Sequence, residues 1–434
     1  MFFSKLTIKE RLTERQKDMK LYRPIKANKW LFIRLAIAIV VAGFIYGIFT
    51  LIRATSVAAS EFITRYISNG LVGFVGFFTS LMPYVSMFEM LLMTAILSVA
   101  IQIVWTILDL RKKRFSIVLR RALILILVVI SCFNYYALTA GFSYNRADIS
   151  NGINLSQTRH QEDDLNSIAN HFMDDFNTTA NTLTNYSDNL SRCENGYLII
   201  DYTLLEIGEM LRDCFRRALD GNRYFFCYTP RPKVFMHSWW FSIVGVAGMA
   251  FLPTGEGHTN FMPPTLGNIL VMAHELAHMR GVMRENDADL VAFYVLVTSP
   301  NLLLRYIGYM YTMHHLARAV YIGNPPRYRQ ALEQEFFDSW PSYAWQDMAT
   351  VWRWWRDFRE NSAAVQFLNR VGDFFNDLYL RLSGVEDGTG SYGYFPDGDI
   401  DTGIVDPDTG DNIFIPFYNN VQKMFFAIYE NRVP

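Results

Sequence analysis

Cysteine is scarce in this sequence, with four among 434 residues. Cys132 falls in an apolar run, which leaves Cys193, Cys214 and Cys227, an odd number. At most one disulfide can form among those three, and their spacing does not say which pair it would join. An excess of either charge is missing as well: 40 basic residues face 41 acidic ones, for a formal net charge of −1. That implies no bulk polyelectrolyte partner, and no stretch resembles a nucleic-acid-binding module. A cleavable secretory leader also fits poorly, because the first apolar run starts late and is too long.

What the chain has in quantity is apolar residues, 51% of the total. The excess is concentrated in the first third. Residues 1–29 carry nine lysines and arginines against Glu10, Glu14 and Asp18. Residues 30–52 then form a run long enough to cross a bilayer, for which about 20 apolar residues suffice. Further spans are predicted at 87–110 and 122–141, separated by Arg111, Lys112, Lys113, Arg114, Arg120 and Arg121. Basic segments stay in the cytoplasm. The expected order is therefore a cytoplasmic tail at 1–29, a membrane domain at 30–141, and residues 142–434 on the outer side. The apolar stretch 67–84 contains Asn69, Gly70, Gly73, Gly76 and Pro83. It reads as a helix lying at the outer interface, the alternative being a fourth span that would reverse the final domain.

Beyond the spans, residues 142–165 are polar and read as a linker. Helical periodicity marks 164–186, 199–219 and four segments after Pro300, at 302–320, 326–337, 343–360 and 363–382. Residues 244–251 read as an edge strand, either one that pairs with an extended peptide or an ordinary strand beneath the helix that follows. Five tryptophans, Trp340, Trp345, Trp352, Trp354 and Trp355, suit either a peptide groove or core and bilayer packing. Asp397, Asp399 and Asp401 resemble the front of a calcium loop. Gly403 falls at the seventh position instead of the sixth, however, and no Glu holds the twelfth, so a solvated acidic loop is the stronger reading. His314 and His315 read as a helical pair with one member exposed.

The chemistry concentrates in residues 265–297 and above all in HELAH. His274 and His278 stand one helical turn apart and project from one face. Their imidazoles can converge on one Zn²⁺, with Glu275 placed to take a proton from the attacking water. A third ligand is needed, and Glu285 is the best candidate. On a straight helix it would stand about 10 Å along the axis from His278, so the helix must break. Gly281 sits where that break is required. Asp289 follows Glu285 by four residues and can accept the outer N–H of a zinc histidine.

At these residues the chain resembles an uncharacterised bacterial family of membrane-anchored zincins known only as a domain of unknown function. The resemblance rests on three apolar spans, the HELAHxxGxxxExxA core, and an apolar segment from Gly248 that ends in Gly255-Glu256-Gly257-His258-Thr259-Asn260. A late Ser391-Tyr392-Gly393 also fits, whereas His258 in the turn and the acidic stretch after Gly393 depart from the pattern. The resemblance implies a gluzincin-like metallopeptidase in the bacterial plasma membrane. It offers Tyr392, His258 and Glu256 as groups that could meet the substrate or the oxyanion.

The expected architecture is thus a three-helix membrane anchor plus a mainly α, α+β, zincin-like extracytoplasmic domain, with a small sheet before the HExxH helix. The expected partners are the bilayer and a peptide or membrane-protein substrate. The competing reading is a catalytically silent zinc protein that senses or grips peptides, which a fourth ligand such as His258 would favour. Substrate specificity and oligomeric state are not encoded legibly.

Overall fold

A computed structural model describes residues 29–157, 162–382, 385, 388, 396–405 and 412–430. Most of the basic tail and Tyr392 lie outside the described residues.

Helix α1 (Lys29–Thr55) is followed by a short α2 (Val57–Phe62), a π-turn (Ile63–Ser68) and α3 (Asn69–Ser80). Then come α4 (Met87–Arg111) and α5 (Phe115–Thr139). Helices α1, α4 and α5 are long and apolar enough to cross a membrane. The third starts earlier than its apolar run suggests, at Phe115, and Arg121 in its second turn pairs with Asp109 of α4 at 2.8 Å. Helix α3 has 12 residues. It continues without a break from α2 through the π-turn, every junction residue being right-handed helical. It docks on the sheet region: Tyr228 donates to the Gly76 carbonyl at 2.7 Å and Thr79 to that of Thr254 at 3.0 Å.

Residues 142–157 are not a solvated linker, and that expectation is corrected. Two 3₁₀ turns, Gly141–Asn145 and Ile149–Asn151, bury Phe142, Ile149, Ile153 and Leu155. Apolar residues placed singly among polar ones hide this from a composition reading. Arg146 is buried here and makes a two-pronged pair with Glu61, at 3.0 and 2.9 Å.

The helical body begins with α6 (Glu162–Thr182) and a hairpin of β1 (Leu190–Arg192) and β2 (Leu198–Ile200). Helix α7 (Leu204–Leu219) starts later than its periodicity predicts, because Thr203 and Glu206 close a capping box there and end the strand region. Next come β3 (Lys233–Val234), α8 (Ser238–Ile243), β4 (Gly248–Phe251) and β5 (Glu256–Thr259). The three strands pair in the order β3-β5-β4, which leaves β4 at an edge as predicted, although shorter than predicted.

Helices α9 (Thr265–Met279), α10 (Glu285–Val297), α11 (Leu302–Gly323), α12 (Pro326–Asp338), α13 (Ser342–Glu360) and α14 (Ala363–Leu382) complete most of the body. Helix α11 runs through its centre: Tyr309 packs edge-on against Phe172 of α6 at 5.1 Å, and Phe172 does the same with Phe425 at 5.0 Å. Phe425 belongs to α15 (Asn420–Tyr429), which follows a hairpin of β6 (Gly398–Val405) and β7 (Asn412–Phe417). The backbone of Asp399 and Asp401 is extended and paired with β7, where the sequence reading expects a loop. Asp397 accepts from Arg318, Asn419 and Gln422, which leaves it committed to side-chain donors. All four cysteines are unpaired, with Cys214 buried against Ser299. His314 is exposed and His315 buried, as the helical reading expects.

Candidate metal centre

Helix α9 delivers the first two side chains. It ends at Met279, and Gly281 adopts φ +85°, a left-handed conformation that side chains with a Cβ rarely adopt. A Cβ there would also lie 2.6 Å from the Phe226 ring. The chain turns, and α10 opens on Glu285. The break does what the spacing requires. Glu285 Oε2 lies 3.0 Å from His274 Nε2 and 3.3 Å from His278 Nε2, and the three ligand atoms fall within 4.8 Å of one another.

The outer nitrogens are fixed as well. His274 Nδ1 pairs with Asp289 Oδ1 at 2.7 Å, and His278 Nδ1 lies 2.7 Å from the Val282 carbonyl oxygen. Both Nε2 atoms are therefore turned inward, which is the orientation a metal site needs. Two imidazoles and a carboxylate, each held from behind, make a donor set that fits Zn²⁺. Burial alone would discharge the imidazoles, but Asp289 and Glu285 outweigh it and hold His274 well above its ordinary pKa. His278 is also raised, as Glu285 outweighs burial. Glu285 drops to about 2, since the two histidines overcome the burial that would raise it.

Glu275 faces strand β4. Burial, only partly offset by the two histidines, lifts its carboxyl to about 7, and it accepts from the Ala250 backbone. Gly248 makes this approach possible: a Cβ on it would sit 2.6 Å from Glu275 Oε1. Its contact with Glu275 has no sequence signal.

Glu256 and His258 do not join the cluster, which corrects their expected roles. Side chains alternate along a strand, and Gly257, between them, is the residue of β5 that faces Glu275 and Met279. Glu256 and His258 therefore point to the opposite face. Glu256 pairs with buried Lys233 at 2.5 Å and accepts from the Met87 and Phe88 amides at the start of α4. His258 bonds Ser86 Oγ at 2.9 Å and stacks on Phe235. Burial depresses its pKa, so it stays neutral.

Three tyrosines escape the sequence reading. Tyr379 of α14 shares hydrogen bonds with Tyr136 of α5 at 2.6 Å and with Tyr144 at 3.2 Å. Burial and neighbouring hydroxyls raise Tyr144 and Tyr379 well above the ordinary phenol value, and the charge of Glu285 adds to both. These hydroxyls are therefore protonated donors close to the ligand group. Next to the start of β4, a cavity of about 550 Å³ is lined by Gly245, Ala247, Trp352, Trp355, Arg356, Arg359 and Glu360. Trp340 and Trp345 instead stack on each other at 4.7 Å, with Trp340 buried.

The sequence profile described as "Protein of unknown function (DUF3810)" matches residues 63–397. The chain belongs to this family. The DUF3810 match takes in α4, α5 and the whole ligand group, in keeping with the expected uncharacterised family that bears apolar helices. No curated protein and no solved structure matches the chain.

Proposed function

We propose that this DUF3810 protein is a membrane-anchored, zinc-dependent metallopeptidase that cuts peptides or membrane-proximal protein segments. The observation that supports it most is the meeting of two structures: the convergent His274, His278 and Glu285, and buried Glu275 set against β4, an edge strand among the described residues. His274, His278 and Glu285 would hold the ion, and Asp289 and the Val282 carbonyl keep the imidazoles aimed. When bound, the ion supplies Lewis acidity to a water and to a scissile carbonyl.

The chain's own groups account for the rest. The outer edge of β4 takes an extended substrate backbone as one more strand. Glu275, with a carboxyl near neutrality, accepts the water's proton and returns it to the leaving amine. The Tyr379 and Tyr144 hydroxyls are the donors best placed to steady a developing oxyanion. The cavity beside β4, with its tryptophans and arginines, receives a neighbouring substrate side chain.

Orientation follows from charge. The basic turn Arg111–Arg114 joins α4 to α5 at the end opposite to the ligand group, whose side meets the start of α4 and the end of α5. By the positive-inside rule, the amino terminus is cytoplasmic and the ligand group lies outside the plasma membrane.

The test is the purified full-length protein, wild type against Glu275→Gln, assayed for zinc and for cleavage of a peptide library. Both should carry one zinc. The variant should lose about 10²–10⁴-fold in turnover, the usual worth of a general base. Zinc-loaded wild type that cuts nothing would overturn the peptidase and leave a zinc-containing peptide-binding protein.

A further inference from the structure

Two apolar surfaces outside the spans lie at the level where the spans end. The first is on α8. Glu89, in the first turn of α4, accepts from the Met236 and His237 amides at 2.7 and 2.9 Å and pairs with His237 Nδ1 at 2.8 Å. This clamps the start of α8 to the start of α4. Trp239 and Trp240 follow at once and leave 54% and 55% of their surface exposed.

The second is on α14. Its Tyr379 meets Tyr136, three residues before α5 ends. Asn369 and Leu380 pack inward, Asn369 donating to the Ile243 carbonyl at 2.6 Å. At 100° per residue, Phe374, Phe375 and Leu378 fall on the far side. They are exposed by 63%, 61% and 40% and lie within about a turn of Tyr379.

Length sets the depth of both. The 25 residues of α5 reach roughly 37 Å, against a hydrocarbon core of ~30 Å. Its last turn, and the first turn of α4 beside it, therefore stand in the headgroup layer. Tryptophan and tyrosine concentrate at that depth, and apolar side chains exposed there meet lipid.

We propose that α8 and the carboxy-terminal half of α14 form an interfacial platform that dips into the headgroup–acyl boundary of the leaflet on the ligand-group side. The occupant of these faces is the bilayer itself. The platform carries two elements placed beside the ligand group, since β4 follows α8 and Tyr379 lies on α14. The ligand group is thereby held at the membrane surface, and anything reaching it arrives along the bilayer plane. This holds whether or not the site hydrolyses peptides.

The test places a photoreactive benzophenone amino acid at Trp239, Trp240 or Phe374 of the full-length protein in nanodiscs of phosphatidylethanolamine and phosphatidylglycerol. Ile199 serves as the control. It is exposed on β2, which pairs with β1 and packs on α9, away from α8 and α14 in the chain. After irradiation, intact-mass analysis should show phospholipid adducts at the three platform positions and none at the control. Adducts to a second copy of the chain, adducts within the same chain, or a probe that finds only water would each overturn the platform.

Discussion

The two faces of the β4–β5 hairpin are built from opposite kinds of residue. Toward α9 stand Gly248, Ala250 and Gly257, small enough for Glu275 to touch the strand backbone. Toward the span ends stand Met249, Phe251, Glu256 and His258, which fill the space around Phe88 and the first turn of α4. One side is stripped to let Glu275 approach and the other is packed for attachment. A four-residue strand thus ties the ligand group to the membrane helices without any of its large side chains entering the site.

The largest effect should come from the attachment face. Lys233 and Glu256 form a buried pair, and Lys233 also donates to the Thr79 and Val85 carbonyls. Lys233→Met leaves Glu256 buried without its cation, which should cost about 3–5 kcal/mol. Melting in nanodiscs should fall sharply, while zinc per folded molecule stays at one. Adding Glu256→Gln should recover much of the loss. A Lys233→Met protein that melts like wild type would mean the attachment face is not stabilising.

The reverse experiment breaks the chemical face. In Gly248→Ala the new Cβ would lie 2.6 Å from Glu275 Oε1 and 2.5 Å from Val271 Cγ1. Glu275 must shift, and a shift of about 1 Å is worth roughly 10²-fold in turnover. The stability cost, about 1–3 kcal/mol for overpacking, should be smaller than that of Lys233→Met. Equal loss of turnover and stability would erase the division between the faces.

The sequence shows one of these faces far better than the other. HELAH, Gly281, Glu285 and Asp289 are close in the chain, so helical geometry alone predicts their convergence, and the structure brings them together as expected. The three spans are equally legible, since twenty apolar residues in a row have few other uses. The Glu256 and His258 roles failed because nearness in sequence says nothing about which face of a strand a residue occupies. Gly257, which takes the inward position, is what turns both away. Tyr144 and Tyr379 lie more than 200 residues apart, and only the folding of α14 against α5 joins them. Arg146 was hidden in a stretch whose polar composition concealed its buried anchors.

Two smaller changes sharpen the picture within the ligand group. Asp289→Ala frees the His274 ring, and zinc affinity should weaken by about 10–100-fold in a competition with a metal indicator. Unchanged affinity would mean that packing alone orients the ring. Tyr379→Phe removes one of two neighbouring donors. Its effect on turnover should be about tenfold, the worth of a single hydrogen bond at the upper end of its range. It should leave zinc content unchanged, and a loss of zinc would instead mark Tyr379 as structural.

The smallest effect concerns a residue that joins the anchored side to the ligand set. Arg146 holds Glu61 with two bonds and also donates to the Gly281 carbonyl at 3.1 Å, at the helix break itself. Burial would raise the Glu61 carboxyl, but Arg146, with help from Arg65, outweighs it and holds the group below its ordinary value of 4.5. A carboxylate whose folded pKa is depressed adds stability above its unfolded pKa and loses it as pH falls through the folded value. The melting difference between wild type and Glu61→Gln should therefore be full at neutral pH and shrink below about pH 4.5. A difference that stays constant down to about pH 3 would show that Glu61 acts through packing alone. Arg146 would then reach the helix break without electrostatic help from the anchored side.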